Sequence, residues 1–169
     1  MNIRSILFVL CYLPSLAIAD DTLNWQLVLG EDPLTNRTSC LMISATRNID
    51  DGQGRTPVSI IYNGRAFIAT TESNIDLSYA SLGLQVDNKK RHGIDRIFKR
   101  KNVVFEQHSA QIVDEFIAGL NGRLRLGFWP TWPKTQSFVA DFDLRGFTRI
   151  YNEFRKCQVT GEVDQDLEQ

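Results

Sequence analysis

Residues 123–128 alternate without exception: Leu124, Leu126 and Phe128 fall on one side of an extended chain, Arg123 and Arg125 on the other. A period of two is the signature of a β-strand with one face in water. Phe138, Ala140, Phe142 and Leu144 repeat the pattern ten residues on, with Asp141 and Asp143 on the polar side. The two runs predict an antiparallel pair whose outward arginines face outward carboxylates. A sheet that is apolar on one face only must be covered on that face, so layered β architectures become the ones to consider.

The rest of the chain supplies the covering. Trp25, Leu27 and Leu29 alternate with Gln26 and Val28, and residues 40–45 form a second short β-rich run. Residues 57–62 and 65–71 are joined by Asn63-Gly64, a pair that tolerates the positive φ angles of a type I′ turn, which predicts a hairpin. Further strands are expected over 82–86 and 103–105. Ser109 is placed to cap a helix that presents Ile112, Val113, Phe116, Ile117 and Leu120 on one face, with Gly122 at its end. Gly146 breaks the last strand, and Phe147, Ile150, Tyr151 and Phe154 give a second amphipathic helix carrying Cys157. The stretches 31–39, 50–55 and 87–101 read as loops. The expectation is a mainly β protein: an antiparallel β-sandwich or β-roll with one or two packed α-helices.

The N-terminus predicts where this domain works. Arg4, an apolar run from Ile6 to Leu13, Pro14 and the small residues Ala17 and Ala19 have the layout of a secretory signal peptide cleaved after Ala19. The run is too short for a bilayer, which needs roughly 20 apolar residues. Residues 1–19 are therefore read as the signal, 20–160 as a single β-rich domain, and 161–169 as an acidic, frayed tail. With Arg4 and Cys11 removed, 18 basic residues face 20 acidic ones and the cysteines are Cys40 and Cys157. A near-neutral balance argues against general nucleic-acid binding, which rests on phosphate neutralisation. An even cysteine pair in an oxidising compartment most simply forms one disulfide; two buried free thiols are the alternative. The expected location is outside the cytoplasm, with no transmembrane segment after cleavage.

A family resemblance enters in the last third. Phe116-Ile117-Ala118-Gly119-Leu120, then Arg123-Leu124-Arg125-Leu126-Gly127-Phe128, then Phe142-Asp143-Leu144-Arg145-Gly146-Phe147-Thr148 resembles the invasion-associated locus B family of exported bacterial proteins. The likeness covers residues 111–157 and, more loosely, the strand of Cys40. It implies a periplasmic or secreted β-rich domain without established catalysis. Members often carry further cysteines in the central region, and this chain has none between Cys40 and Cys157. Its Phe-Trp-Pro-Thr-Trp-Pro segment at 128–133 is more similar to a related group of small proteobacterial exported proteins.

Candidate chemistry is sparse. His92 and His108 read as surface histidines, and neither belongs to a local set of three or four ligands, so no metal and no cofactor are expected. Ser109, His92 and Asp95 offer only the loosest nucleophilic triad. The paired carboxylates Asp141 and Asp143 read as a solvated strand face rather than a glycosidase pair. Two features remain. Trp129 and Trp132, on a proline-stiffened turn, close one end of the sandwich on the simplest account, and alternatively suit an aromatic platform for a sugar, a peptide or a protein. Lys89, Lys90, Arg91 and Arg96, in a basic stretch running to Lys101, read first as a solvated linker between strands, and alternatively suit an anionic surface such as lipid headgroups or a polyanionic glycan. The reading is an exported, non-enzymatic domain that binds a protein or an envelope or glycan partner through these residues. The alternatives are a small periplasmic hydrolase using a histidine and carboxylates, or a structural protein of envelope assembly.

Overall fold

The computed structural model describes residues 24–130 and 136–161. Its larger antiparallel sheet runs β1 (Trp25–Glu31), β2 (Thr38–Ser44), β4 (Arg55–Tyr62), β5 (Phe67–Thr71), β9 (Asn102–Phe105), β8 (Arg96–Phe98) in spatial order, with β3 (Arg47–Asp50) also paired to β4. A smaller sheet has the order β12 (Phe138–Asp143), β10 (Asn121–Leu126), β7 (Gly83–Val86). A two-stranded ribbon joins β6 (Asn74–Ile75) to β11 (Phe128–Trp129). Two helices, α1 (Ser109–Ala118) and α2 (Phe147–Thr160), pack on this framework. The fold is therefore mainly antiparallel β with two packed helices, as the alternation predicts.

The predicted pair is β10–β12, in the register Leu124↔Ala140 and Leu126↔Phe138. Arg123 lies opposite Asp141 and its Nε donates to that carboxylate at 2.9 Å. Asp143 turns instead to Arg145, two residues along. The main core takes Leu124, Leu126, Ala140 and Phe142 from this sheet, Met42, Ile60, Phe67 and Val103 from the larger one, and Phe116, Phe147 and Phe154 from the helices. Leu41, Ile61, Ile68 and Val104 point the other way and form a second buried cluster with Leu34 and Phe98. The central strands of the larger sheet are thus covered on both faces, which is why their sequences are continuously apolar rather than alternating.

Cys40 on β2 and Cys157 on α2 form a disulfide with a Cα–Cα distance of 6.1 Å, clamping the last helix to the larger sheet. Gly146, at φ 85°, reverses the chain between β12 and α2, a conformation that costs glycine little. No helix among the described residues is long and apolar enough to cross a membrane.

Several local expectations shift. The hairpin after Tyr62 is present, but Tyr62 pairs with Phe67, so Gly64-Arg65 occupies the centre of the turn. Positive φ falls on Gly64 alone, the pattern of a II′ turn. The reason is the Asn63 side chain, whose Oδ1 accepts the N–H groups of Arg65 and Ala66 at 3.0 and 2.8 Å. Ser109 does not cap α1: His108 is the N-cap, without a side-chain cap bond, and the helix stops at Gly119 rather than Gly122. Gly122 lies in β10, and Ile117 and Leu120 are exposed rather than part of the buried face.

Candidate binding site

Alternation also governs the short strand β11. Phe128 points into the core and lies 6.0 Å, centroid to centroid, from Phe138, so Trp129 must point out, and it is 65% exposed. Phe128 pairs with Ile75 and Trp129 with Asn74. Gly127 makes this approach possible. Its carbonyl accepts the Asp76 N–H at 2.9 Å, and a Cβ there would stand 2.4 Å from the Tyr79 ring and 2.6 Å from the Asp76 carbonyl.

The indole forms one wall of a cleft of about 480 Å³ completed by Asn74, Asp76, Leu77, Ser78 and Arg100. That volume falls within the range of small-molecule sites, roughly 300–1,000 Å³. Asp76 Oδ1 accepts the Ser78 N–H at 2.8 Å, an Asx turn that shapes the floor. Among the described residues, no carboxylate pairs with Arg100, and no hydrogen bond occupies the Asn74 side chain.

Arg100 arrives from the tip of the β8–β9 hairpin. Lys99 and Arg100 have φ of 50° and 61°, left-handed conformations that disfavour side chains. The tip is held there from outside: the carbonyls of Arg100 and Lys101 accept the N–H groups of Ile75 and Thr71 at 2.8 and 2.9 Å. Lys99 bends away, donating to Asn36 Oδ1 at 3.1 Å and lying over the Phe98 ring.

The remaining basic residues do not gather here. The stretch expected as one basic loop is two separate turns with strand β8 between them. Lys89 and Lys90 are exposed on the turn after β7, where the Lys89 N–H bonds the Val86 carbonyl. Arg91 is half-buried and its Nη2 donates to Gln85 Oε1 at 3.3 Å. Arg96 lies on β8, 3.6 Å from Glu106, which also binds Arg65 at 2.6 Å. Trp132 lies outside the described residues.

The two histidines part company. His108 is exposed, as expected, but His92 is 6% exposed and shares a 2.9 Å hydrogen bond with Glu115 Oε2 on α1. Glu115 Oε1 accepts from Gln111 Nε2 at 3.0 Å, and the His108 ring lies 5.8 Å from that of His92. The Ser109, His92 and Asp95 triad does not form around this histidine. Its Nε2 goes to Glu115, while Asp95 Oδ2 accepts the N–H groups of Glu106 and Gln107. This buried hydrogen bond anchors the segment after β7 to α1.

A second, larger groove of about 780 Å³ runs between Tyr62, Gly64 and the outer face of α2, where Tyr151, Phe154 and Val159 line it. Burial, reinforced by the neighbouring Tyr151 phenol, pushes the Tyr62 hydroxyl above its ordinary value.

Trp129 is legible in the sequence, and its partners are not. Arg100 stood within the basic stretch without being singled out, and Asn74 and Asp76 carry no local signal because they meet Trp129 only through the β6–β11 pairing.

No protein-family model matches the sequence, and no curated protein matches it significantly. Among solved structures, the chain is similar to invasion associated protein B from Bartonella henselae. The TM-score is 0.50 at 20% identity, over 80% of this chain and 94% of that one. At that identity the likeness carries the fold alone.

Proposed function

We propose that the mature chain, residues 20–160 with an acidic tail at 161–169, is an exported, non-enzymatic β-domain that binds a protein or envelope partner through the Trp129 cleft. One observation carries this reading: Trp129 is 65% exposed, whereas Trp25 in the same small domain is 1% exposed. Leaving an indole in water forgoes the burial a core offers, and exposed aromatics flanked by polar groups concentrate binding energy. Lys89, Lys90, Arg91 and Arg96 are outlying contacts in this reading, and Trp132 is retained from the sequence as a further candidate.

Export to the periplasm or beyond is supported by the signal-like residues 1–19 and by the Cys40–Cys157 bridge, which suits an oxidising compartment. The similarity in fold to an invasion associated protein is compatible with an exported β-domain of this kind. A hydrolase would need a histidine beside both an acid and an accessible hydroxyl. His92 has its acid but is enclosed, which favours a structural role for the pair.

The test is photo-crosslinking of the mature protein, with the crosslinker at Leu77 on the cleft wall, in intact cells of the native host. A discrete adduct is expected that disappears in W129A while the far-UV spectrum and thermal midpoint stay unchanged. An adduct indifferent to Trp129 would overturn the reading.

A further inference from the structure

Resting on that reading of the site, we infer that the Trp129 cleft takes an acidic sugar: a saccharide unit bearing a carboxylate or sulfate, presented by an envelope or host-surface glycan. The chemistry of the wall decides the class. An exposed indole offers a flat apolar face of the kind that stacks on the C–H face of a pyranose ring. Arg100, free of carboxylate partners among the described residues, supplies a planar fork for an anionic oxygen pair.

Asp76 discriminates against simpler anions. A cleft built for phosphate or a bare polyanion would not place a carboxylate on its wall, because like charge opposes the ligand. A ligand that donates hydroxyl hydrogens while carrying a negative group elsewhere uses both Asp76 and Arg100. The Asp76 Oδ1 atom is occupied by the Ser78 N–H, which leaves the second oxygen as acceptor for a hydroxyl. Asn74, with its amide unengaged among the described residues, can donate to one sugar oxygen and accept from another.

The tip geometry points the same way. Two successive basic residues hold left-handed conformations, an arrangement that costs stability and recurs where a side chain must be aimed. Here Arg100 is the residue so aimed.

The experiment is calorimetric titration of the mature protein with an oligogalacturonate, against neutral oligogalactose and inorganic phosphate as controls. The oligogalacturonate is expected to bind, the two controls at least roughly tenfold more weakly, the scale of one charge-assisted hydrogen bond. W129A and R100A are each expected to weaken it by a similar factor. D76N carries the sign: it weakens a hydroxyl-donating sugar several-fold, whereas it would tighten a bare anion. Phosphate binding that tightens in D76N would overturn the inference in favour of a phosphate site. Failure to bind oligogalacturonate or a sulfated galactose oligomer, while W129A still abolishes the crosslinked adduct, would overturn the sugar and leave the binding domain standing. Loss of neither in W129A would overturn both.

Discussion

Trp25 Nε1 donates to the main-chain carbonyl of Asp143 at 3.0 Å, joining residues 118 positions apart. The bond ties the first described strand of the larger sheet to the last strand of the smaller one. The same indole meets Phe116 and Phe147 edge-on at 5.8 and 5.0 Å, so its apolar body fills the seam that its N–H closes. W25F keeps a six-membered ring but strands the carbonyl and opens space. A loss of about 2–3 kcal/mol is expected from the missing hydrogen bond and the incomplete fill. In urea denaturation the midpoint should fall with an unchanged m-value.

Asp143 also carries a pH dependence. Its carboxylate accepts the Arg145 N–H at 2.9 Å and Nε at 2.8 Å, and Nη2 completes the pair. The Arg145 side-chain hydrogen bond, foremost, together with its backbone N–H and the charges of Arg145 and Arg47, holds the carboxyl below its usual value against the opposing effect of burial. A carboxyl depressed in the folded state stabilises fully above the unfolded value, near pH 4, and that contribution fades as pH falls through the folded value. Thermal midpoints measured between about pH 5 and pH 2 should therefore drop further in the wild type than in D143N. Equal slopes would show that the pair contributes nothing to acid stability.

The disulfide spans 117 positions, and removing it restores freedom to nearly the whole unfolded domain. The chain-entropy treatment puts a loop of that size at roughly 4–5 kcal/mol. The C40A/C157A double variant should lose about that amount, and intact mass before and after reduction and alkylation should reveal two protected thiols in the wild type. Free thiols in protein isolated without reductant would contradict the bridge.

For His92 and Glu115 the expectation is asymmetric. E115A leaves a buried imidazole nitrogen without its partner and should cost about 1–3 kcal/mol, whereas H92F/E115L, which removes both polar ends, should cost clearly less. A thermodynamic cycle over the two sites measures the coupling. If the single and double variants lose the same amount, the pair is not a coupled buried unit.

Legibility in the sequence followed the range of the interactions. The arginines of β10 and the carboxylates of β12 could be put on one outward face because each strand declares its two faces within six residues. The register could not be read in this way, and it sets Arg123 against Asp141 and Arg125 against Val139. The turn at Asn63 was visible but displaced by one position, since the Asn63 side chain takes N–H groups that the backbone would otherwise have bonded. The basic stretch hid strand β8, whose three residues include Arg96 and sit between two charged turns. His92 read as surface because nothing near it in sequence shows Glu115, 23 positions on, turning back to meet it. The cleft was half legible: composition marked Trp129, while Asn74, Asp76 and Arg100 reach it only through pairings of distant segments.

The hairpin tip allows conformation and chemistry to be separated. A non-glycine residue in the left-handed region costs roughly 1–2 kcal/mol, and glycine escapes that cost while adding roughly 0.5–1 kcal/mol of unfolded-state entropy. R100G should therefore match the wild type in stability or exceed it by up to about 1.5 kcal/mol, because Arg100 forms no ion pair among the described residues. R100A keeps the strain and should stay at wild-type stability. Both lose the guanidinium, so both should lose oligogalacturonate binding to the same degree. If R100G alone kept binding, the tip would act through its backbone and the guanidinium would have no role. If both variants unfolded at lower urea, Arg100 would be a structural residue, and its place on the cleft wall would no longer argue for a ligand.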